Sequence, residues 1–156
     1  MTVTELGVLV DQYRAGLDAE IVILHRLEEK ARRQREASAS SDMDALHRAA
    51  DDRDALMAGL VSIESQLREI RQALSQAKEQ AKTLPDYQDA VRLHHEAIAL
   101  VSRIIRTDEE SLEALATAEL ARREAARAVE QGETTLAAYR RVTATPAGAT
   151  LVNRRG

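Results

Sequence analysis

The sequence predicts an all-α protein: three long antiparallel helices forming an elongated coiled-coil bundle, followed by an irregular C-terminal tail. Two observations carry this prediction. Ala (28), Leu (18), Glu (16), Arg (19) and Lys (3) supply 84 of the 156 residues, the composition of long helices when it is also periodic. Apolar residues do recur every 3.5 positions over long stretches, the spacing that buries a seam against a partner helix. Interruptions are few, with six Gly and two Pro. There is no Cys, Trp or Phe, and the only rings besides four His are three Tyr. Compact globular cores lean on large aromatic rings, so their scarcity argues against a conventional enzyme fold.

The first helix is expected over about 5–38. Thr2 and Glu5 have the capping-box spacing, hydroxyl and carboxylate each satisfying a free amide at the helix start. Leu6, Val10, Tyr13, Leu17, Glu20, Leu24, Leu27 and Ala31 alternate by four and three, with Glu20 the one charged member. Ala37-Ser38-Ala39-Ser40-Ser41 is a small-polar break, and Ser41 with Asp44 repeats the capping-box spacing. The second helix, about 42–83, carries the clearest pattern. Its seam is Leu46, Ala49, Arg53, Leu56, Leu60, Ile63, Leu67, Ile70, Leu74, Ala77, Ala81 and Leu84. Eleven of the twelve are apolar against 44% for the whole chain, which marks a buried seam. Pro85 ends this helix and suits the first position of the next, so a tight turn over 83–86 reverses the chain.

The third helix is expected over about 86–141. Its seam reads Tyr87, Val91, His94, Ile98, Val101, Ile105, Asp108, Leu112 and Leu115, blurs into alanine, and resumes at Val129, Leu136 and Tyr139. Pro146 and Gly148 forbid further helix, so residues 1–142 form the bundle and 143–156 a flexible or partner-ordered tail. At about 1.5 Å per residue the helices measure roughly 51, 63 and 84 Å. Short loops force an up-down-up course, which leaves residues from about 128 to 142 overhanging. Val129, Leu136, Tyr139 and Val142 then form an uncovered apolar stripe, the usual mark of an interaction site. Tyr139, with Arg140 and Arg141 after it, has the residue types that dominate interfaces. A hetero-partner, self-association, or a bend at Gly132 would each cover the stripe.

Composition excludes several function classes. Without Cys there are no disulfides or thiolate chemistry. No leader pattern stands at residues 1–10, and the longest apolar runs are tetrads such as Ile21-Val22-Ile23-Leu24, so no membrane insertion and a cytoplasmic location are expected. Net charge is −4, with four Arg and no acid in 140–156. The acidic remainder argues against nucleic-acid binding. His25 and His47 sit on different helices, and adjacent His94 and His95 point about 100° apart. Asp44-x-x-His47 is the nearest approach to a di-iron motif, which needs two Glu-x-x-His pairs, so no metal is expected. His94-His95-Glu96-Ala97 resembles a histidine-kinase phosphoacceptor helix, but no proline kink follows. Asp108, Glu109, Glu110 and Glu113 read as a solvated face, with Asp108 the member that falls on the seam. Arg53 can pack its stem and send its head to solvent. No Gly-rich phosphate loop and no Ser/His/Asp constellation is present, so neither catalysis nor a cofactor is expected.

Asp42-Met43-Asp44-Ala45-Leu46, Arg53-Asp54-Ala55-Leu56, Leu60, Ile63-Glu64 and Arg71, together with Tyr139 ahead of a Gly-containing tail, resemble the FlgN-like flagellar export chaperones that serve hook–filament junction proteins. Arg140 stands where that family often has glycine. The resemblance implies a cytoplasmic chaperone for type III export. Such a protein binds a helical terminal region of a hook-associated protein and hands it to the export apparatus. Val129, Leu136, Tyr139 and Val142 would anchor an amphipathic cargo helix, with Leu151 and Val152 folding over it. The alternative is a structural coiled coil whose stripe mediates homodimerisation.

Overall fold

The computed structural model describes residues 1–144. They are all-α, about 94% helical, and no strand occurs among them. Four helices follow in order: α1 (Val3–Ser40), α2 (Met43–Ser75), α3 (Lys78–Ala81) and α4 (Pro85–Ala144). The chain divides into two compact units, Met1–Leu115 and Ala116–Gly156.

In the first unit, α1 opens with the capping box. The Thr2 hydroxyl accepts from the Glu5 amide at 3.1 Å, and the Thr2 amide donates to the Glu5 carboxylate at 2.8 Å. The α1–α2 turn differs by one residue from the sequence expectation. Ser41 is not the N-cap of α2 but the C-cap of α1, in the left-handed conformation (φ 56°, ψ 33°), and Asp42 caps α2 by accepting from the Ala45 amide at 3.0 Å. The Asp42 amide reaches back to the Ala37 carbonyl at 2.9 Å, closing the end of α1. A carboxylate is the stronger acceptor at a helix N-terminus, where the dipole favours negative charge.

The second helix is also interrupted where one run over 42–83 was expected. α2 stops at Ser75 and α3 starts at Lys78. The Ser75 hydroxyl donates to the Gln72 carbonyl at 2.7 Å, a side-chain competitor for helical bonding. The amides of Ala77, Thr83, Leu84 and Tyr87 then bond three residues back rather than four, tightening the approach to α4. Apolar burial survives the break, with Leu74 and Ala81 both buried.

The core runs along α1. Leu6, Val10, Tyr13, Leu17, Glu20, Leu24, Leu27 and Ala31 are all buried, and each large aliphatic among them contributes about 1.5–3 kcal/mol. From α2 come Leu67 and Leu74, and from α4 Ala90, Leu93, Ala97, Leu100 and Ile104. Ion pairs flank this core: Arg14 with Asp86 at 3.3 Å, Glu28 with Arg103 at 2.6 Å, Arg35 with Glu110 at 2.8 Å, and Lys30 with Asp52 at 3.0 Å. Arg53 and Asp108, the odd polar members of two apolar seams, pair with each other: Nη1 to Oδ1 at 2.7 Å and Nη2 to Oδ2 at 2.9 Å. Gln34 of α1 accepts from the same guanidinium, so one polar layer draws on three helices.

The seam of α4 lies one residue away from the expected one. Ala90, Leu93, Ala97, Leu100, Ile104 and Ser111 are buried, while Ile98, Val101, Ile105 and Leu112 are exposed. Both registers are heptad-spaced and largely apolar, so periodicity alone does not choose between them. Ala90 and Ala97 admit the neighbouring backbones more closely than Val91 and Ile98 would.

Gly16 marks a close approach of this kind: a Cβ there would stand 2.6 Å from Leu67 Cδ2, and Leu67 is fully buried. Gly132, in the second unit, has nothing within 4 Å of its would-be Cβ. Gly132→Ala is expected to raise stability or helicity by about 1 kcal/mol, the helix-propensity gain. Gly16→Ala is expected to lose about 1–2 kcal/mol despite the same gain, because Leu67 must move. Urea unfolding followed by circular dichroism measures both, and equal effects would show that the Gly16 contact is not tight.

Candidate functional site

The expected anchors lie in the second unit. Val129 (60% exposed), Leu136 (48%), Tyr139 (67%) and Val142 (75%) are all open to solvent, as is every residue over 120–143. At about 100° per residue, Val129 and Leu136 share a face, and Tyr139 and Val142 step about 60° and 120° round the helix from Leu136. The four therefore form a broad apolar flank rather than a narrow stripe. Leu151 and Val152 lie outside the described residues.

Sequence reasoning missed a second surface, in the first unit. Ile98, Val101 and Ile105 stand exposed along α4, and Met57 and Val61 along α2. Beside them is a cavity of about 360 Å³, with Leu24, Leu60, Ala97, Ile98 and Val101 as its apolar lining. A larger cavity of about 560 Å³ adjoins the α1–α2 turn, but its lining is charged and includes the Lys30–Asp52 pair.

The smaller cavity also holds Ser102 and four titratable groups: Glu20, Glu64, Arg71 and His94. Helical spacing brings these four together. Glu20 lies on the buried seam of α1, Glu64 and Arg71 are two turns apart on α2, and His94 is on α4. Arg71 Nη2 donates to Glu64 Oε1 at 2.8 Å, and Tyr13 is a further neighbour of the guanidinium. Glu20 is 7% exposed, and among the described residues no donor reaches its Oε2. Burial, then the hydrogen bond with Glu64 and the negative charge of Glu64, push its carboxyl up to about 8, against the pull of Arg71. Glu64 is held below the usual carboxylate range, first by the hydrogen bond from Glu20 and then by Arg71. His94 is lowered by burial, then by Arg71 and His95. Near neutral pH, Glu20 and Glu64 thus share one proton, because two carboxylates this close resist joint ionisation. The signal for this layer was Glu20 itself, the one charge in an apolar seam.

Among the described residues no three His, Asp or Glu side chains are grouped to hold a metal ion, and no helix is long and apolar enough to cross a membrane. The raised carboxyl fixes a pH dependence. Between the ordinary carboxyl range and about 8, the folded chain holds a proton at Glu20 that the unfolded chain has released. Stability therefore falls as pH rises through that window and levels off above it. The lowered His94 works the other way near its own ordinary range. Glu20→Gln removes only the first contribution, so its stability relative to the parent is expected to grow by roughly 2 kcal/mol from about pH 6 to about pH 8. Urea titrations at the two pH values measure this, and a constant offset would mean that Glu20 is ionised throughout. No protein-family model matches the chain, and no curated protein and no solved structure matches it either.

Proposed function

We propose that this chain is a helix-binding chaperone of the FlgN-like kind: a cytoplasmic protein that holds the helical terminal region of a flagellar hook-associated protein export-competent for type III secretion. The observation that carries the reading is the apolar flank that α4 leaves in solvent, with Val129, Leu136, Tyr139 and Val142 all exposed. Exposed apolar surface at helical spacing suits an amphipathic helix laid into it. The flagellar assignment rests on the resemblance of the second-helix residues and of Tyr139. In this reading the first unit is a three-helix bundle running up-down-up. Gly16 beside Leu67 and Gly59 beside Ile23 support opposite senses for α1 and α2. Arg14–Asp86 and Arg35–Glu110 support a shared sense for α1 and α4.

A second reading is a structural coiled coil that homodimerises, and the heptad-spaced, exposed Ile98, Val101, Ile105 and Leu112 favour it. Light scattering and binding to a hook–filament junction protein separate the two. The chaperone reading expects a monomer whose Leu136→Asp or Tyr139→Ala variant keeps its helicity and weakens junction-protein binding at least about tenfold, near 1.4 kcal/mol. A stable dimer that Ile98→Asp or Ile105→Asp converts to monomer, with no junction-protein binding, would establish the structural reading instead.

A further inference from the structure

We propose that the groove between α2 and α4 in the first unit is the seat of a fourth helix, supplied by a partner protein, whose apolar face carries one lysine or arginine that pairs with Glu20 and Glu64. This rests on the helix-binding reading and names a different surface and the chemistry of the occupant.

Three observations carry it. First, α4 has two adjacent heptad registers. One is buried through Ala90, Leu93, Ala97, Leu100 and Ile104, and the other leaves Ile98, Val101 and Ile105 in solvent. A helix that is apolar over two adjacent faces suits a bundle with one more member than the chain provides. Second, half-buried Leu60 of α2 lines the 360 Å³ cavity together with Ile98 and Val101 of α4, and Met57 and Val61, within a turn of Leu60, are exposed. Together these form a strip of knobs and a hole for an incoming aliphatic face.

Third, the polar end of the cavity selects charge. Two carboxylates, Glu20 and Glu64, face one guanidinium, Arg71, which already donates to Glu64. Glu20 is more than nine-tenths buried, and Oε2 has no donor among the described residues. A second anion would be repelled, whereas an ammonium or guanidinium on a long aliphatic stem could lay its stem on Leu60 and Val101 and its head at Glu20. The charged groups facing Glu20 are Glu64 and Arg71 from α2 and His94 from α4, with Tyr13 of α1 beside Arg71. An arriving cation takes over from the proton that the two carboxylates share, so docking releases a proton and strengthens as pH rises through the titration of Glu20.

The test uses the full chain and three labelled synthetic amphipathic peptides of about 18 residues, five turns. They are leucine-faced and differ at one central position of the apolar face: lysine, norleucine or glutamate. Fluorescence anisotropy at about pH 8 is expected to show the lysine peptide binding about tenfold tighter than norleucine, with glutamate weakest. The preference should shrink at about pH 6 and fall within about twofold in Glu20→Gln. Val101→Asp and Ile98→Asp, at exposed positions, should abolish binding with helicity unchanged. Equal binding of all three peptides at both pH values would overturn the inference while leaving helix binding intact. Binding lost in Leu136→Asp but kept in Val101→Asp would overturn it by moving the seat to the second unit. Failure of every peptide to bind would overturn it too, while capture of the junction protein judges the chaperone reading separately.

Discussion

The fork of Arg53 on the carboxylate of Asp108 ties α4 to α2 at one fixed layer, and the rest of the bundle is arranged about it. Two parallel hydrogen bonds fix a plane as well as a distance, which a single contact cannot do. With Asp108 held toward α2 and Gln34 of α1 joining the layer, the strip through Leu100 and Ile104 turns inward. Val101 and Ile105, on the same heptad strip as Asp108, stay exposed beside the layer. Charged layers of this sort seldom add much stability, because desolvation offsets their attraction. Their contribution here is geometric: one layer ties α1, α2 and α4 together at a fixed height.

The Glu20, Glu64, Arg71 and His94 layer has a different character. The Arg53 layer matches one cation to one anion and is closed. The Glu20 layer sets two acids against one Arg, and a lowered His94 adds little positive charge near neutrality. A group this buried stays in an apolar seam only if a proton or a cation neutralises it. The first layer therefore fixes how the chain packs on itself, and the second leaves an opening for chemistry from outside.

Much of the architecture was legible in the sequence. The seam of α1 could be read residue by residue because, outside the apolar runs at 8–10 and 21–24, mostly polar side chains flank it. The capping box at Thr2 was legible for the same local reason, since both partners lie within one turn. On α4 the reading slipped by one position because Val91, Ile98 and Val101 are larger and more apolar than Ala90 and Ala97. Hydrophobicity ranks the bulkier register first, whereas close helix packing favours the smaller one. The break at Gln76 and Ala77 had no Gly or Pro to announce it. The polar layers were invisible as layers, because each joins residues from three helices and no local spacing links Glu20 to Glu64 or Arg53 to Asp108. Val129, Leu136, Tyr139 and Val142 are exposed, and the groove beside Glu20 could not be seen before α4 was oriented.

The left-handed Ser41 has a kinetic consequence. It reverses the chain within two residues, so α1 and α2 are joined by almost no slack. Closing so short a connection costs little chain entropy, and contacts between sequence neighbours form early. The α1–α2 hairpin can thus zip outward from its hinge as the second helix of the pair emerges from synthesis. α4 then docks onto a ready-made template, and its greasy outer edge is displayed last.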